Sequence, residues 1–414
     1  MRGVLIVSLI VGLTVAGCGH AAVCPPTERA ASAELDHFGE SSSFRIDKAA
    51  LRSSGVTARQ VTKLEASAFR YSRMLARQVE SRTCWSFRDL RWRLPVVAVH
   101  GDAHVEQFVV TSGTHGLEDF DRAGFGPAVV DLVRYAASID LACREATFPC
   151  DAKKAIASYF TAYRASLDKP ADRSRAPAVV ERLRRKAPQG RGAWLEWVDA
   201  QMGPLSPAHE TAARRGWKTF ADLQSAVVPE RPASFYEITR VGELRMGVGS
   251  ALERKILVRI HGPSADPVDD VVLEARAGEA PGASGCVWRP AHGGSLHVLT
   301  FMSLLGPRMP DVFGYVELDD KPGDRPFWVQ SWLPGYVEIT LEDIHSQEEL
   351  EELAVDAARQ LAGHFWTRFP DPLRGYQRYA QLQGFDATRE RAIALASELA
   401  REVVVEWDHF RKTP

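Results

Sequence analysis

Between Val96 and Asp131 the chain reads V-V-A-V-H-G-D-A-H-V-E-Q-F-V-V-T-S-G-T-H-G-L-E-D-F-D-R-A-G-F-G-P-A-V-V-D, with three His and four Asp set among short apolar runs. So many ionisable groups between buried strands fit a fold in which loops gather them at one site, as catalytic and metal-binding loops do. Val96–Val99 reads as a buried strand. Phe108–Thr111 and Leu117–Phe120 read as two more, joined by the turn residues Ser112 to Gly116. Such a hairpin carries His100, Asp102, His104 and Gln107 ahead of its first strand, and Asp119 and Asp121 at the end of its second. The two acidic clusters are expected to meet at one end of it.

Phosphoryl transfer needs a carboxylate to accept the hydroxyl proton, an amide or carboxylate a few residues on to hold a metal ion, and a second carboxylate bridging metal and phosphate. Asp102, Gln107 and Asp119 stand in that order, with His104 beside the catalytic carboxylate and Asp121 beside the metal ligand. A second reading stays open. His100, Asp102 and His104 alternate, and on a continued strand they share a face and can ligate a metal for hydrolysis; Gly101 argues for a turn there instead. For His115 and Asp121 the competing reading is a loop cap or a satisfied core group.

The run His100-Gly101-Asp102-Ala103-His104 followed by Asp119-Phe120-Asp121 resembles the catalytic and metal loops of aminoglycoside-phosphotransferase-like kinases. More closely, the chain resembles the bacterial domain-of-unknown-function family 2252, whose signature is G-D-A-H-x-x-N-F, then D-F-D, then W-D-x-x-R-L-A-x-S. The last element here is Val130-Asp131-Leu132-Val133-Arg134-Tyr135-Ala136-Ala137-Ser138. Further along, Gly247-Val248-Gly249-Ser250 with Arg254 is similar to the family's G-V-G-S-x-G-x-R, Leu252 replacing the last Gly. The strand Val271–Arg276 takes the place of the family's Lys strand, with Arg276 in place of that Lys.

This resemblance implies an α+β, protein-kinase-like two-lobe fold in circularly permuted order, because the phosphate loop and basic strand follow the catalytic loop, whereas protein kinases place them before it. It implies ATP or another nucleotide with Mg as cofactor, Gly247, Gly249, Ser250, Arg254 and Arg276 facing the phosphates, and a small-molecule or nucleotide ligand. His100, Asp131 and Arg134 would then support the catalytic loop. In the same family a helix carries F-x-R-G, to which Phe69-Arg70-Tyr71-Ser72 is a loose match, so Arg73 reads equally as surface charge. Two departures, Gln107 for Asn and Arg276 for Lys, point to weak or lost transfer. After Pro281 no helix Glu stands ready for Arg276, and His292 and His297 lie there instead. Three functions follow: a kinase-like enzyme, a lipid-anchored binding protein that keeps the fold without the chemistry, and the metal-dependent hydrolase.

At 414 residues and 45% hydrophobic, the chain can bury a core divided into two or three lobes. A formal net charge of -2 leaves no electrostatic footprint for nucleic acid. Arg182, Arg184, Arg185 and Lys186 read as a solvated helix face.

Arg2, the apolar run Val4–Val15 and the small residues before Cys18 read as a signal peptide over residues 1–17. Val15-Ala16-Gly17-Cys18 resembles a bacterial lipobox, which implies lipid on Cys18 and a membrane-anchored protein facing the periplasm or cell exterior. The competing reading is a secretory signal cut after Ala21 or Ala22. Both export the protein, and export lets disulfides persist. Cys143 with Cys150 is the first expected pair and Cys24 with Cys84 the second, with Cys286 left over.

Residues 18–43 read as a tether, 44–230 as a helical lobe with the catalytic hairpin, 231–340 as a β-rich small lobe, and 341–414 as helices packing back on the helical lobe. Thr57 with Gln60 forms a capping-box pattern that opens a helix burying Val61, Leu64, Ala68, Phe69, Leu75 and Val79. Ala128–Arg144 reads as an apolar helix with Asp131 near its start, and Asp151 caps the next. A Pro- and Arg-rich connection is expected from Lys169 to Gly192, and helices around Trp194–Met202 and His209–Ala221. Amphipathic helices close the chain at Ser346–Phe369 and Asp386–Lys412.

Overall fold

The computed structural model describes residues 44–413, apart from 54–55, 91–93, 174, 189, 245–254, 278–284, 290–293, 308–309, 317–326 and 368–370. The signal peptide, Cys18, the tether, Gly247–Ser250, Arg254 and His292 lie outside the described residues. Among those described, no helix is long and apolar enough to cross a membrane.

The fold is mixed α+β. After α1 (Lys48–Ser53), Thr57 caps α2 (Ala58–Glu65) in a full capping box with Gln60. The expected continuous helix is broken, however, into α2, α3 (Ala68–Ser72), a 3-10 turn at Arg73–Leu75, and α4 (Ala76–Ser86). Ser67 is the cause: its backbone is extended and its hydroxyl caps Arg70 N, while the Glu145 carboxylate accepts from Ser67 Oγ and Phe69 N. The apolar residues expected to be buried still are, because each segment turns the same side inward.

Strand β1 (Val96–Val99) pairs with β4 (Gly124–Pro127). Between them β2 (Phe108–Val110) and β3 (His115–Leu117) form the hairpin. The second hairpin strand ends three residues before the expected Phe120, which instead begins a 3-10 turn. A tertiary contact explains the earlier placement of β3. The Gln360 side chain accepts from Leu117 N and donates to Leu117 O, acting as a neighbouring strand. On the other side β2 pairs with β11 (Val337–Glu338), which the sequence pattern did not mark.

Helix α5 (Val129–Glu145) is buried from Val129 to Ala142, its apolar residues in the helical core and Asp131, Arg134 and Ser138 against the loop after β1. It packs against α6 (Ala152–Asp168), which Asp151 caps, and against α12 (Asp371–Lys412). Helix α11 (Gln347–Thr367) lies along α6. Val61, Val133, Phe160, Leu353, Ala396 and Phe410 belong to one apolar cluster, so residues far apart in sequence share the helical core.

The expected connection between Lys169 and Gly192 contains α7 (Ala178–Lys186). Its basic residues are not simply a solvated face: Arg182 bonds Glu349 and the Asp343 carbonyl, and Arg184 donates to the Thr111 carbonyl of the hairpin.

Next come α8 (Arg191–Gln201), β5 (Met202–Gly203) and α9 (Pro207–Val227). Although expected with the helical lobe, all three join the antiparallel six-stranded sheet, ordered β5-β6-β7-β8-β10-β9. Its remaining strands are β6 (Ile238–Leu244), β7 (Lys255–Ile260), β8 (Val271–Ala277), β9 (Phe313–Val316) and β10 (Phe327–Ser331). Alternation gives the sheet two faces. Ile256, Val258, Leu273 and Val329 pack on Trp217 and Phe220 of α9. The opposite positions carry Lys255, Glu274, Arg276, Trp328 and Gln330. Arg276 lies between Lys255 and Trp328 in register, and Glu274 is opposite Gln330. Helix α10 (Gly294–Leu305) packs Val298, Phe301 and Met302 against Phe120 and Trp328.

Cys143 and Cys150 are bonded, as expected. The other pairing differs: Cys84 joins Cys286 rather than Cys24, across 202 positions of sequence. That pairing needs α4 and the segment before Trp288 to lie side by side, which spacing along the chain does not reveal.

Candidate functional site

The loop after β1 is shaped by its backbone. Gly101 has φ +79°, and a Cβ there would lie 2.1 Å from the Arg122 carbonyl oxygen, so only glycine fits without displacement. The strand therefore ends at Val99, and His100, Asp102 and His104 do not continue it. Among the described residues, no three His, Cys, Asp or Glu side chains stand together in a way that could hold a metal ion.

One face of α5 holds this loop. Asp131 accepts hydrogen bonds from the amides of His100 and Gly101, at 2.7 and 2.8 Å. One turn on, Arg134 Nε donates to Asp102 Oδ1 at 2.8 Å, and after another turn Ser138 Oγ accepts from Val105 N at 3.1 Å. The spacing i, i+3, i+7 places all three on one side of a helix, which explains the pattern D-x-x-R-x-x-x-S physically. Burial raises the Asp131 carboxyl, opposed by His100 and the two amides it receives.

His100 is buried and bridges two segments. Its Nε2 lies 2.8 Å from the Glu118 carbonyl oxygen, and its Nδ1 accepts from Asp102 N at 3.4 Å. His104 is buried edge-on to Phe69, and its Nδ1 has no hydrogen-bond partner among the described residues. Burial, then the Arg134 and Arg73 charges, hold its imidazole neutral, well below the ordinary range. Arg73 is not surface charge alone, since its Nη1 is 3.1 Å from the buried Glu106 carboxylate. Gln107 is buried, and its carbonyl accepts from Glu118 N across the hairpin.

Asp119 has φ +70°, the one positive value at a non-glycine among the described residues. That conformation starts the tight turn at Phe120 and precedes Asp121. Across the cleft, Arg276 Nη1 is 2.6 Å from Asp119 Oδ1, Nη2 is 3.5 Å from Asp121 Oδ2, and Nε is 3.7 Å from Glu274 Oε1. Burial would raise the Asp119 carboxyl, but Arg276 and Lys255 outweigh it and hold the group far below the usual carboxylate range. Burial opposes charge on Arg276, yet Asp119, Glu274 and Asp121 hold its proton firmly.

Glu118, Glu274, Lys255 and Gln330 are site residues the sequence reading missed. Glu274 is two positions from Arg276 on a strand, and that alternation was the available signal. Glu118 lies immediately before Asp119. Its Oε1 accepts from Gln330 Nε2 at 2.8 Å, and burial followed by the Asp119 charge pushes its carboxyl up to about 7. His297, expected where a helix Glu was lacking, is buried in α10, its imidazole lowered to about 4 by burial and Arg289.

Between hairpin and sheet, a cavity of about 50 Å³ is lined by Val109, Glu118, Phe120, Gln330, Trp332 and Tyr336, among others. Trp194 and Val198 of α8 pack with Val109, Leu257, Val272 and Trp332 beside it. Among the described residues the arrangement does not fit a resident divalent cation, because both carboxylates that would meet the metal, Asp119 and Asp121, face the Arg276 guanidinium.

Residues 52–190 match the model of a family described as an uncharacterized protein conserved in bacteria (DUF2252). That span holds the loop at His100, the acidic pair Asp119 and Asp121, and the face of α5 that supports them. No curated protein and no solved structure matches the chain. By that match, the segment that builds the loop and its support is similar to the DUF2252 family of bacterial proteins.

Proposed function

We propose that this is an exported, lipid-anchored protein of kinase-like descent, whose nucleotide-type cleft has weak or lost phosphotransferase activity. The observation that carries the reading is the meeting of Arg276 with Asp119, 157 positions apart in sequence. A basic residue on the third long strand of a small antiparallel sheet, with a helix following that strand, is how kinases present a phosphate-facing cation. The carboxylate it meets belongs to the motif assigned to the metal. Strand order and the following α10 favour a permuted kinase-like arrangement.

Loss of chemistry is favoured by the same contact. Asp102 is paired with Arg134, Asp119 with Arg276, Gln107 stands where an Asn is usual, and α10 carries no acidic residue among those described. Export supports this further, because the space outside the cytoplasm offers little ATP. Lipid on Cys18 would hold the protein at a membrane surface. The hydrolase reading draws no support from the loop geometry.

The test is nucleotide-dependent thermal stabilisation, with and without magnesium, together with γ-phosphate transfer by wild type and Asp102→Ala. Slight stabilisation and no transfer agree with the proposal. Robust transfer lost in Asp102→Ala would establish an active small-molecule phosphotransferase instead.

A further inference from the structure

We infer that Arg276 is the resident cation of this cleft, standing where the kinase-like reading would place a divalent metal. The inference rests on that reading and deepens it. A guanidinium is planar and can meet several carboxylates at once, and here it reaches Asp119, Asp121 and Glu274 from three of its edges. The Trp328 ring lies 5.3 Å from it on the neighbouring strand and limits its movement.

The surroundings would otherwise call for a cation. Glu274 is 4% exposed, and among the described residues its Oε1 accepts no hydrogen bond, although Arg276 Nε and Lys255 Nζ stand 3.7 and 3.8 Å away. On the adjoining strand, opposite Glu274, the buried Gln330 Oε1 also accepts none. Among the described residues, Asp119, Asp121 and Glu274 stand against Arg276 and Lys255, and removing the Arg276 guanidinium takes away the cation that all three share. Magnesium-type ions are commonly held by one or two carboxylates plus water, a set Asp119 and Asp121 could supply once the guanidinium is removed. An Arg at this place therefore closes the cleft to metal, where a Lys with its compact ammonium would leave one carboxylate unshared.

The experiment titrates Mn²⁺ alone, without nucleotide, into the purified full chain, reading free Mn²⁺ by electron paramagnetic resonance and folding by near-ultraviolet circular dichroism. Asp119→Asn is expected to change the wild-type isotherm by less than about twofold, while Arg276→Met takes up one Mn²⁺ at least about tenfold more tightly than wild type. Combining Arg276→Met with Asp119→Asn should remove that gain. Should Arg276→Met not fold, Arg276→Gln, which keeps a donor for Asp119 without the charge, carries the same expectation. A wild-type site weakened tenfold by Asp119→Asn would overturn the inference, and so would a folded Arg276 variant that gains no Mn²⁺. Phosphate transfer by the wild type bears on the proposed function, whereas Mn²⁺ uptake without nucleotide bears on Arg276 alone.

Discussion

His100 Nε2 donates to the Glu118 carbonyl oxygen at 2.8 Å, and this bond ties the loop bearing Asp102 to the residue before Asp119. Nδ1 accepts from the Asp102 amide, so both ring nitrogens meet backbone groups of the two segments. His100→Phe keeps a ring against Phe120, whose centroid is 4.9 Å away, but leaves a carbonyl inside the fold without its donor. Urea unfolding should show a loss of roughly 1–3 kcal/mol. An unchanged midpoint would show that the bond does not hold the loop.

Asp102 and Asp119 do not face each other as bare charges, since each has its own guanidinium. Asp102→Ala should therefore destabilise rather than relieve repulsion, because Arg134, 2% exposed, would be left buried without its partner. The expected loss is about 3–5 kcal/mol, and Asp102→Ala with Arg134→Met should recover much of it. Equal stability of wild type and Asp102→Ala would contradict this.

The Glu118 carboxyl titrates near 7 in the fold, above the ordinary value of an unfolded chain. Its contribution to stability is full below the unfolded value and is lost as pH rises through 7, because the folded state binds the extra proton. Between pH 5 and 8, thermal midpoints of wild type should fall relative to Glu118→Gln, a divergence on the order of 1 kcal/mol or more. Parallel profiles would remove Glu118 as the source.

Non-reducing peptide mapping should recover Cys84 linked to Cys286 and Cys143 linked to Cys150. Cys84→Ser should cost about 2–5 kcal/mol, the upper part of that range being expected for so long a closed loop. Arg289, three residues past Cys286, bonds Glu80 of α4 and the Arg122 carbonyl, so the same substitution should also loosen the turn after Asp121. Faster hydrogen exchange at residues 120–124 is the readout. Recovery of all four as free thiols from exported protein would refute the pairing.

Cys18 should take up a fatty-acid analogue in cells, and Cys18→Ala should not. Equal labelling of both would exclude lipid at that position.

Several features needed only the sequence, because they rest on short-range physics. The limits of β1 follow from four apolar residues stopped by His100-Gly101. The cap at Thr57 needs only Gln60 three positions later, and the cap at Asp151 only the helical run behind it. The position of Asp131 near the start of α5 was legible for the same reason, whereas its contact with the loop amides, at sequence separations of 31 and 30, was implied only by the family resemblance. Of the core stripe expected along the last helix, Ala396, Ala400, Val403 and Phe410 are buried, while Ile393, Val404 and Trp407 are half-buried against the same core.

Tertiary structure alone decided which partners the ionised and sulfur-bearing groups found. Nothing local in the sequence indicates that Arg276 meets Asp119, that Cys84 meets Cys286, that Gln360 serves as a strand beside Leu117, or that α8 and α9 leave the helical lobe for the sheet. Ion pairs, disulfides and packing faces depend on which surfaces come together after the elements have formed. A periodic pattern reports that an element has an apolar side, but an apolar side fits any other, and only the assembled fold selects the one it covers.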